Sequence, residues 1–195
     1  YTWQTATLDA SGNWYLAGNT YIPGEQEDFL VAKFSEDGLV WIHSYNSVAG
    51  GRDFATGITA DGTDVYITGT SIDSTGLHSS YMTLKLDSAC SVQWLNTWAD
   101  TTDNGLNGGT WIRIKNYEGP KLVFVGGSSQ TGIADAAINV VLYLSNGYQI
   151  AEFKYDSAGL YDVPASVVVD SPYVYITGVS GSAFSNWDFL TIRGS

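Results

Sequence analysis

Residues 54–69 read Phe54-Ala55-Thr56-Gly57-Ile58-Thr59-Ala60-Asp61-Gly62-Thr63-Asp64-Val65-Tyr66-Ile67-Thr68-Gly69. Two short runs rich in β-branched and aromatic residues flank an Asp-Gly-Thr-Asp segment. The Asp and Gly of that segment accept the backbone dihedrals that a tight hairpin turn requires. The stretch therefore predicts two antiparallel strands. Its second run recurs as Trp14-Tyr15-Leu16-Ala17-Gly18, Val123-Phe124-Val125-Gly126-Gly127 and Val174-Tyr175-Ile176-Thr177-Gly178, with closing glycines 51, 58 and 51 residues apart. Self-similarity at a period of this size marks a repeat architecture.

Three further landmarks keep the same period. Each glycine-terminated run is followed by a third apolar segment: Asp28-Phe29-Leu30-Val31-Ala32-Lys33-Phe34, Ser80-Tyr81-Met82-Thr83-Leu84-Lys85-Leu86, Val140-Val141-Leu142-Tyr143-Leu144 and Asp188-Phe189-Leu190-Thr191-Ile192-Arg193. A fourth segment follows a turn, as Leu39-Val40-Trp41-Ile42, Val92-Gln93-Trp94-Leu95 and, more loosely, Tyr148-Gln149-Ile150-Ala151. A first segment precedes the hairpin in each copy: Thr5-Ala6-Thr7-Leu8, Ala55 to Thr59, Trp111-Ile112-Arg113-Ile114 and Ser166-Val167-Val168-Val169. Many of these runs are apolar on both faces, which suits sheets covered on both sides.

Four-stranded antiparallel units repeated around an axis describe an all-β propeller. A linear solenoid is disfavoured because each unit is a whole meander; a β-sandwich of similar strand count is the competing architecture. The chain divides into units 1–50, 51–106, 107–160 and 161–195 of a single domain, 1–195. The last unit stops after its third strand near Arg193. The expectation is a β-propeller of about four blades, the last incomplete, either closed by packing or completed as part of a larger ring by another copy. An unpaired outer edge on the last blade makes a homo-oligomer the natural consequence.

The succession Ala-x-Gly-Ile-x-x-Asp, Val-Tyr-Ile-Thr-Gly, Asp-Phe-Leu-Thr-Ile-Lys and Gly-x-x-x-Trp resembles the bacterial and archaeal extracellular β-propeller repeat called SBBP. Positions 54–94 carry the closest likeness, 5–41 and 165–193 a good one, and 107–158 a poor one, with a longer first turn through Asn116, Glu118 and Pro120. The resemblance implies a secreted or surface scaffold and carries no catalytic residues.

Eight basic against 20 acidic side chains give a formal charge of −12. Phosphate backbones and anionic membrane surfaces require clustered Lys and Arg, so neither is an expected partner. No apolar stretch is long enough to cross a bilayer as a helix. Cys90 is the only cysteine, which excludes an internal disulfide. The abundance of Gly, Ser, Thr and aromatics, with few lysines, points to an extracellular or cell-surface setting.

His43 and His78 are the only histidines. Neither has a sequence context that places it beside a nucleophile, and no Gly-x-Ser-x-Gly elbow is present. Asp9, Asp61 and Asp170 each end a first strand. No cofactor is expected; the three are candidates for binding Ca2+ through oxygen ligands, but an Asp in this place caps its own turn, which is the favoured reading. The cations Lys33, Lys85 and Arg193 share one repeat position and read as blade packing. Trp41 and Trp94 do likewise, and Trp3 and Trp111 are expected in the core. Trp98, in the connection after the second unit, and Trp187, at the start of a third strand, have no periodic counterpart. With Tyr21 they are the candidate ligand-binding aromatics, because stacking on a sugar or peptide needs a rigid apolar face among polar neighbours. The expected function is a non-catalytic extracellular interaction or scaffold module, self-associating through an open blade edge and binding a protein or glycan. The alternatives are a lectin-like carbohydrate-binding module and a hydrolase or lyase with a site at the channel mouth.

Overall fold

A computed structural model describes the chain apart from residues 22–25, 48–49, 102–104, 117–118, 133–134, 158–159, 171–172, 183–184 and 195; the side chains of 131, 132, 182 and 185–187 are likewise outside the described set. The described residues contain fifteen strands and no helix. The first unit holds β1 (Thr2–Leu8), β2 (Trp14–Thr20), β3 (Asp28–Ser35) and β4 (Gly38–Tyr45). The second holds β5 (Gly50–Asp61), β6 (Asp64–Asp73), β7 (Ser79–Leu86) and β8 (Val92–Trp98). The third holds β9 (Leu106–Asn116), β10 (Lys121–Gly132), β11 (Asp135–Leu144) and β12 (Gln149–Tyr155). The last has three strands, β13 (Tyr161–Asp170), β14 (Tyr173–Ser182) and β15 (Ser185–Gly194). Each unit is an antiparallel meander in chain order; one parallel bridge, Ala136 to Tyr161, joins the third unit to the fourth.

The turn glycines act as their chemistry requires. Gly12, Gly38, Gly62 and Gly147 have φ of 82°, 114°, 63° and 88°, a region that L side chains rarely adopt. The glycines that close the second strands have a different cause. The first strand of every unit shifts register opposite them, between Trp3 and Thr5, Ala55 and Gly57, Gly109 and Trp111, and Pro164 and Ser166. Each shift pushes a carbonyl toward its neighbour, so a Cβ at Gly18, Gly69, Gly127 or Gly178 would lie 1.9, 1.9, 1.9 or 2.2 Å from that oxygen. Only glycine fits beside such a bulge.

The units pack through their first strands, β1 beside β5, β5 beside β9 and β9 beside β13. Among the described residues no packing of comparable extent returns β13 to β1, so the four units form an open series. Three seams lie between them, each with its own apolar cluster. The first joins Tyr15, Phe29 and Val31 to Ile58, Val65, Ile67, Met82 and Leu84. The second joins Tyr66 and Tyr81 to Ile112, Val123, Val125 and Val141. The third joins Phe124, Ile138 and Val140 to Val167 and Ile176. Each unit thus presents a front face to the next unit and a back face to the one before.

The crossings between units are tied down by one buried polar residue per unit. Asp53 Oδ2 accepts the Ser47 N–H at 2.7 Å, Asn107 Oδ1 the Asp100 N–H at 3.0 Å, and Asp162 Oδ2 the Ser157 N–H at 2.7 Å. The three occupy one register position, opposite Ser71, Ser129 and Ser180.

Candidate functional site: the seams between units

A three-residue ladder recurs on the front faces. Tyr15 pairs with Lys33, which pairs with Trp41; Tyr66 pairs with Lys85, which pairs with Trp94. The Lys33 ammonium lies 5.2 Å from the Tyr15 ring centre and that of Lys85 5.4 Å from Tyr66. The Trp41 and Trp94 rings meet the same tyrosines edge-on at 5.9 and 6.0 Å. Burial raises the Tyr15 and Tyr66 phenols above their ordinary values, with the neighbouring ammonium acting against it. Burial works to lower Lys85, but the Asp64 carboxylate at 2.7 Å and the Tyr66 phenol outweigh it and raise its pKa. The fourth unit repeats the start of the ladder, Tyr175 paired with Arg193, whose guanidinium lies 4.6 Å from the Tyr173 ring centre.

The second seam carries a polar cleft of about 350 Å³ whose walls include Trp98, Asp100, Asn139, Glu152, Phe153 and Lys154. Trp94, Asn96 and Trp98 alternate on β8 and all reach the third unit. The Trp94 N–H donates to the Ser145 carbonyl at 3.0 Å, the Asn96 amide to the Gly147 carbonyl at 2.6 Å, and the Trp98 N–H to Glu152 Oε2 at 2.9 Å. Lys154 donates to Asp100 Oδ2 at 2.7 Å across the same cleft. One face of Trp98 packs on Tyr81, centres 4.9 Å apart. The cleft therefore offers an indole edge, two carboxylates, an ammonium and an amide, a set suited to hydroxyl-bearing ligands.

Trp98 is thus not in a free connection, as expected, but ends β8 and bridges two units. Tyr21 lies elsewhere, at the end of β2, 64% exposed. Trp187 is in β15, with its side chain outside the described residues. Residues 102–104, in the link between β8 and β9, are also outside them. Trp111 is buried in the third seam, whereas Trp3, expected in the core, is 39% exposed because none of the described units covers the back of the first.

The three aspartates lie in three different units, the Asp9 and Asp61 turns meeting where the Ala10 N–H donates to the Gly62 carbonyl at 3.4 Å. Asp9 accepts the N–H groups of Ser11 and Asn13 at 2.8 and 2.9 Å, the Asn13 amide at 2.7 Å and the Tyr15 hydroxyl at 3.3 Å. Burial works to raise its carboxyl, but these hydrogen bonds, led by Asn13, hold it below the ordinary value. Asp61 accepts the Lys121 ammonium from the next unit, and Asp170 is exposed. No cluster of three or more His, Cys, Asp or Glu fit to hold a metal occurs among the described residues. His43 packs beside Trp41, and His78 hydrogen-bonds Asp73 at 3.0 Å.

No family model matches the chain, and no curated protein does. Among solved structures it is similar to a neuraminidase-like protein from A/bat/Guatemala/164/2009, with 12% identity, a TM-score of 0.51, and coverage of 95% of this chain and 52% of that one. It is also similar to a subtype N10 neuraminidase-like protein of A/little yellow-shouldered bat/Guatemala/060/2010, with 10% identity, a TM-score of 0.47, and coverage of 95% and 57%. The chain spans about half the length of these structures. At such identity the likeness concerns the fold.

Proposed function

We propose that the chain is an open run of β-propeller blades that serves as a non-catalytic interaction and scaffold module of a secreted or surface protein, with a second copy of the chain as its partner. One observation carries this reading: the two uncovered end faces have the chemistry of the covered ones. The front of the fourth unit displays Tyr175 and Arg193 at the positions of Tyr66 and Lys85, and beside them Phe189, 80% exposed. The back of the first unit displays Trp14, 51% exposed, with Leu8 and Trp3. Trp14 sits in register where Val65, buried in the first seam, sits one unit later. A front and a back of this kind meet at the first two internal seams, so the end faces complement each other between copies. That is a heterologous contact, which builds a ring if its rotation closes and a chain if not.

Light scattering tests it. Association of the wild type should rise with concentration. Trp14→Glu and Phe189→Glu should each be monomeric, and an equimolar mixture of the two should form a 1:1 dimer through the one intact face on each. A wild type that stays monomeric at high concentration overturns the reading.

The polar cleft favours a second function, binding of a glycan with Trp98 as the stacking surface. A glycan array would show carbohydrate binding that Trp98→Ala abolishes; a blank array removes this reading and leaves the first intact.

A further inference from the structure

The third seam departs from the other two at the positions that fill them. In register, Phe124 and Leu142 stand where Tyr66 and Lys85 stand one unit earlier, and Ala151 stands where Trp94 stands. On the opposing wall Gly194 pairs with Val174 as Tyr143 pairs with Val123. At the second seam Trp94 and Tyr143 are in ring contact, centres 5.9 Å apart. At the third that pair has become alanine and glycine, and a Cβ built on Gly194 meets nothing within 4 Å. The space left is a pocket of about 430 Å³ with Leu122, Phe124, Leu142, Ala151, Val174 and Ile176 among its walls. Its volume falls within the range of small-molecule sites. The polar groups of the ladder are gone along with the rings, since Tyr has become Phe and Lys has become Leu. Among the described lining residues only Glu152 is ionisable, and its carboxylate is turned to the second seam, where it accepts the Trp98 N–H.

We infer that this pocket binds a small planar aromatic molecule of indole size, neutral or cationic, in the place that tryptophan fills at the other two seams. The apolar walls supply the burial, and Phe124 supplies an aromatic neighbour, as Tyr15 and Tyr66 do for Trp41 and Trp94. The net charge of −12 disfavours an anionic ligand.

Indole, tryptamine and indole-3-acetate are the probes, added to the whole chain while thermal unfolding is followed. Indole and tryptamine should raise Tm by about 3–5 °C at ten times Kd, and indole-3-acetate should raise it less. Ala151→Trp should melt at or above the wild-type temperature and lose the response. Should that variant not fold, Leu142→Lys, which restores the residue of the other ladders, should weaken indole at least tenfold by making the wall polar. The 19F resonance of 5-fluoroindole should shift with wild type and not with Ala151→Trp. No response to any probe, or a response undiminished in both variants, overturns the inference.

Discussion

The Asp53 carboxylate reaches back across the link between the first and second units to accept the Ser47 N–H at 2.7 Å, and the residue is fully buried. Ser47 is fixed a second time by the Ser71 hydroxyl, which donates to its Oγ at 2.7 Å. Asn107 performs the same backbone capture one unit later with a neutral amide. Asp53→Ala should therefore lower stability by about 2–3 kcal/mol, the cost of stranding a buried donor that had a charged acceptor. Asp53→Asn should retain most of it, as Asn107 does naturally. Urea unfolding of the three proteins measures both.

A methyl group at Gly69 would lie 1.9 Å from the Phe54 carbonyl oxygen and 2.8 Å from Phe29 Cζ. The carbonyl belongs to a bulged strand that cannot retreat without breaking its pairing. Gly69→Ala is expected to cost about 3 kcal/mol, in the upper range for a single substitution, whereas Gly194→Ala, with open space around its Cα, should be neutral. Comparative melting of the pair separates a packing effect from loss of glycine alone.

Cys90 stands five residues after Lys85, as Gly38 stands after Lys33, and shares its left-handed backbone with φ of 71°. Its Sγ lies 2.6 Å from the Tyr45 hydroxyl, which also donates to the Cys90 carbonyl at 3.2 Å. Burial pushes the thiol up, against the Tyr45 hydrogen bond. Reaction with iodoacetamide at pH 8.5 should run about tenfold slower than for a free thiol. Cys90→Gly should relieve the backbone and raise stability by about 0.5–1 kcal/mol, the carbonyl bond to Tyr45 being kept. Alkylation kinetics and thermal melting test the two statements separately.

The depressed Asp9 carboxyl gives a signed pH dependence. A group whose folded pKa lies below its unfolded value contributes stability that is present above the unfolded pKa, about 3.9, and lost as pH falls through the folded one. Asp9→Asn should therefore melt below the wild type at neutral pH, and the gap should close on titration below about pH 4. A gap constant down to pH 2 would assign the loss to the hydrogen-bond geometry of the turn and not to charge.

The strands are legible because short runs of β-branched and aromatic residues, turn glycines and the repeat all point one way. Gly18, Gly69, Gly127 and Gly178 could be found from sequence, but the reason for them could not, since the bulge lies on the neighbouring strand. Asp53, Asn107 and Asp162 leave no signal in the sequence, because they differ in type and act on a backbone N–H, which makes no pattern of side chains. Trp98 falls past the apolar run Val92–Leu95 that marks the strand in sequence, yet Trp94, Asn96 and Trp98 alternate as one face, and that alternation carries β8 to Trp98. The gap at Ala151 was hidden because the fourth strand of its unit aligns only loosely, and the pairing of β11 with β12 slips between Leu142 and Tyr143.

Replacing an indole by a methyl group has a mechanical side. The first two seams are each clamped by a fourth-strand tryptophan, while at the third that position is Ala151 and the contact is left to the apolar cluster around Trp111, one parallel bridge and the Asp162 tether. Opening under heat or load should begin there. Amides of residues 161–194 would exchange with deuterium well before those of the second unit, and the molecule would shed its final meander as a cooperative piece while the remainder stayed intact.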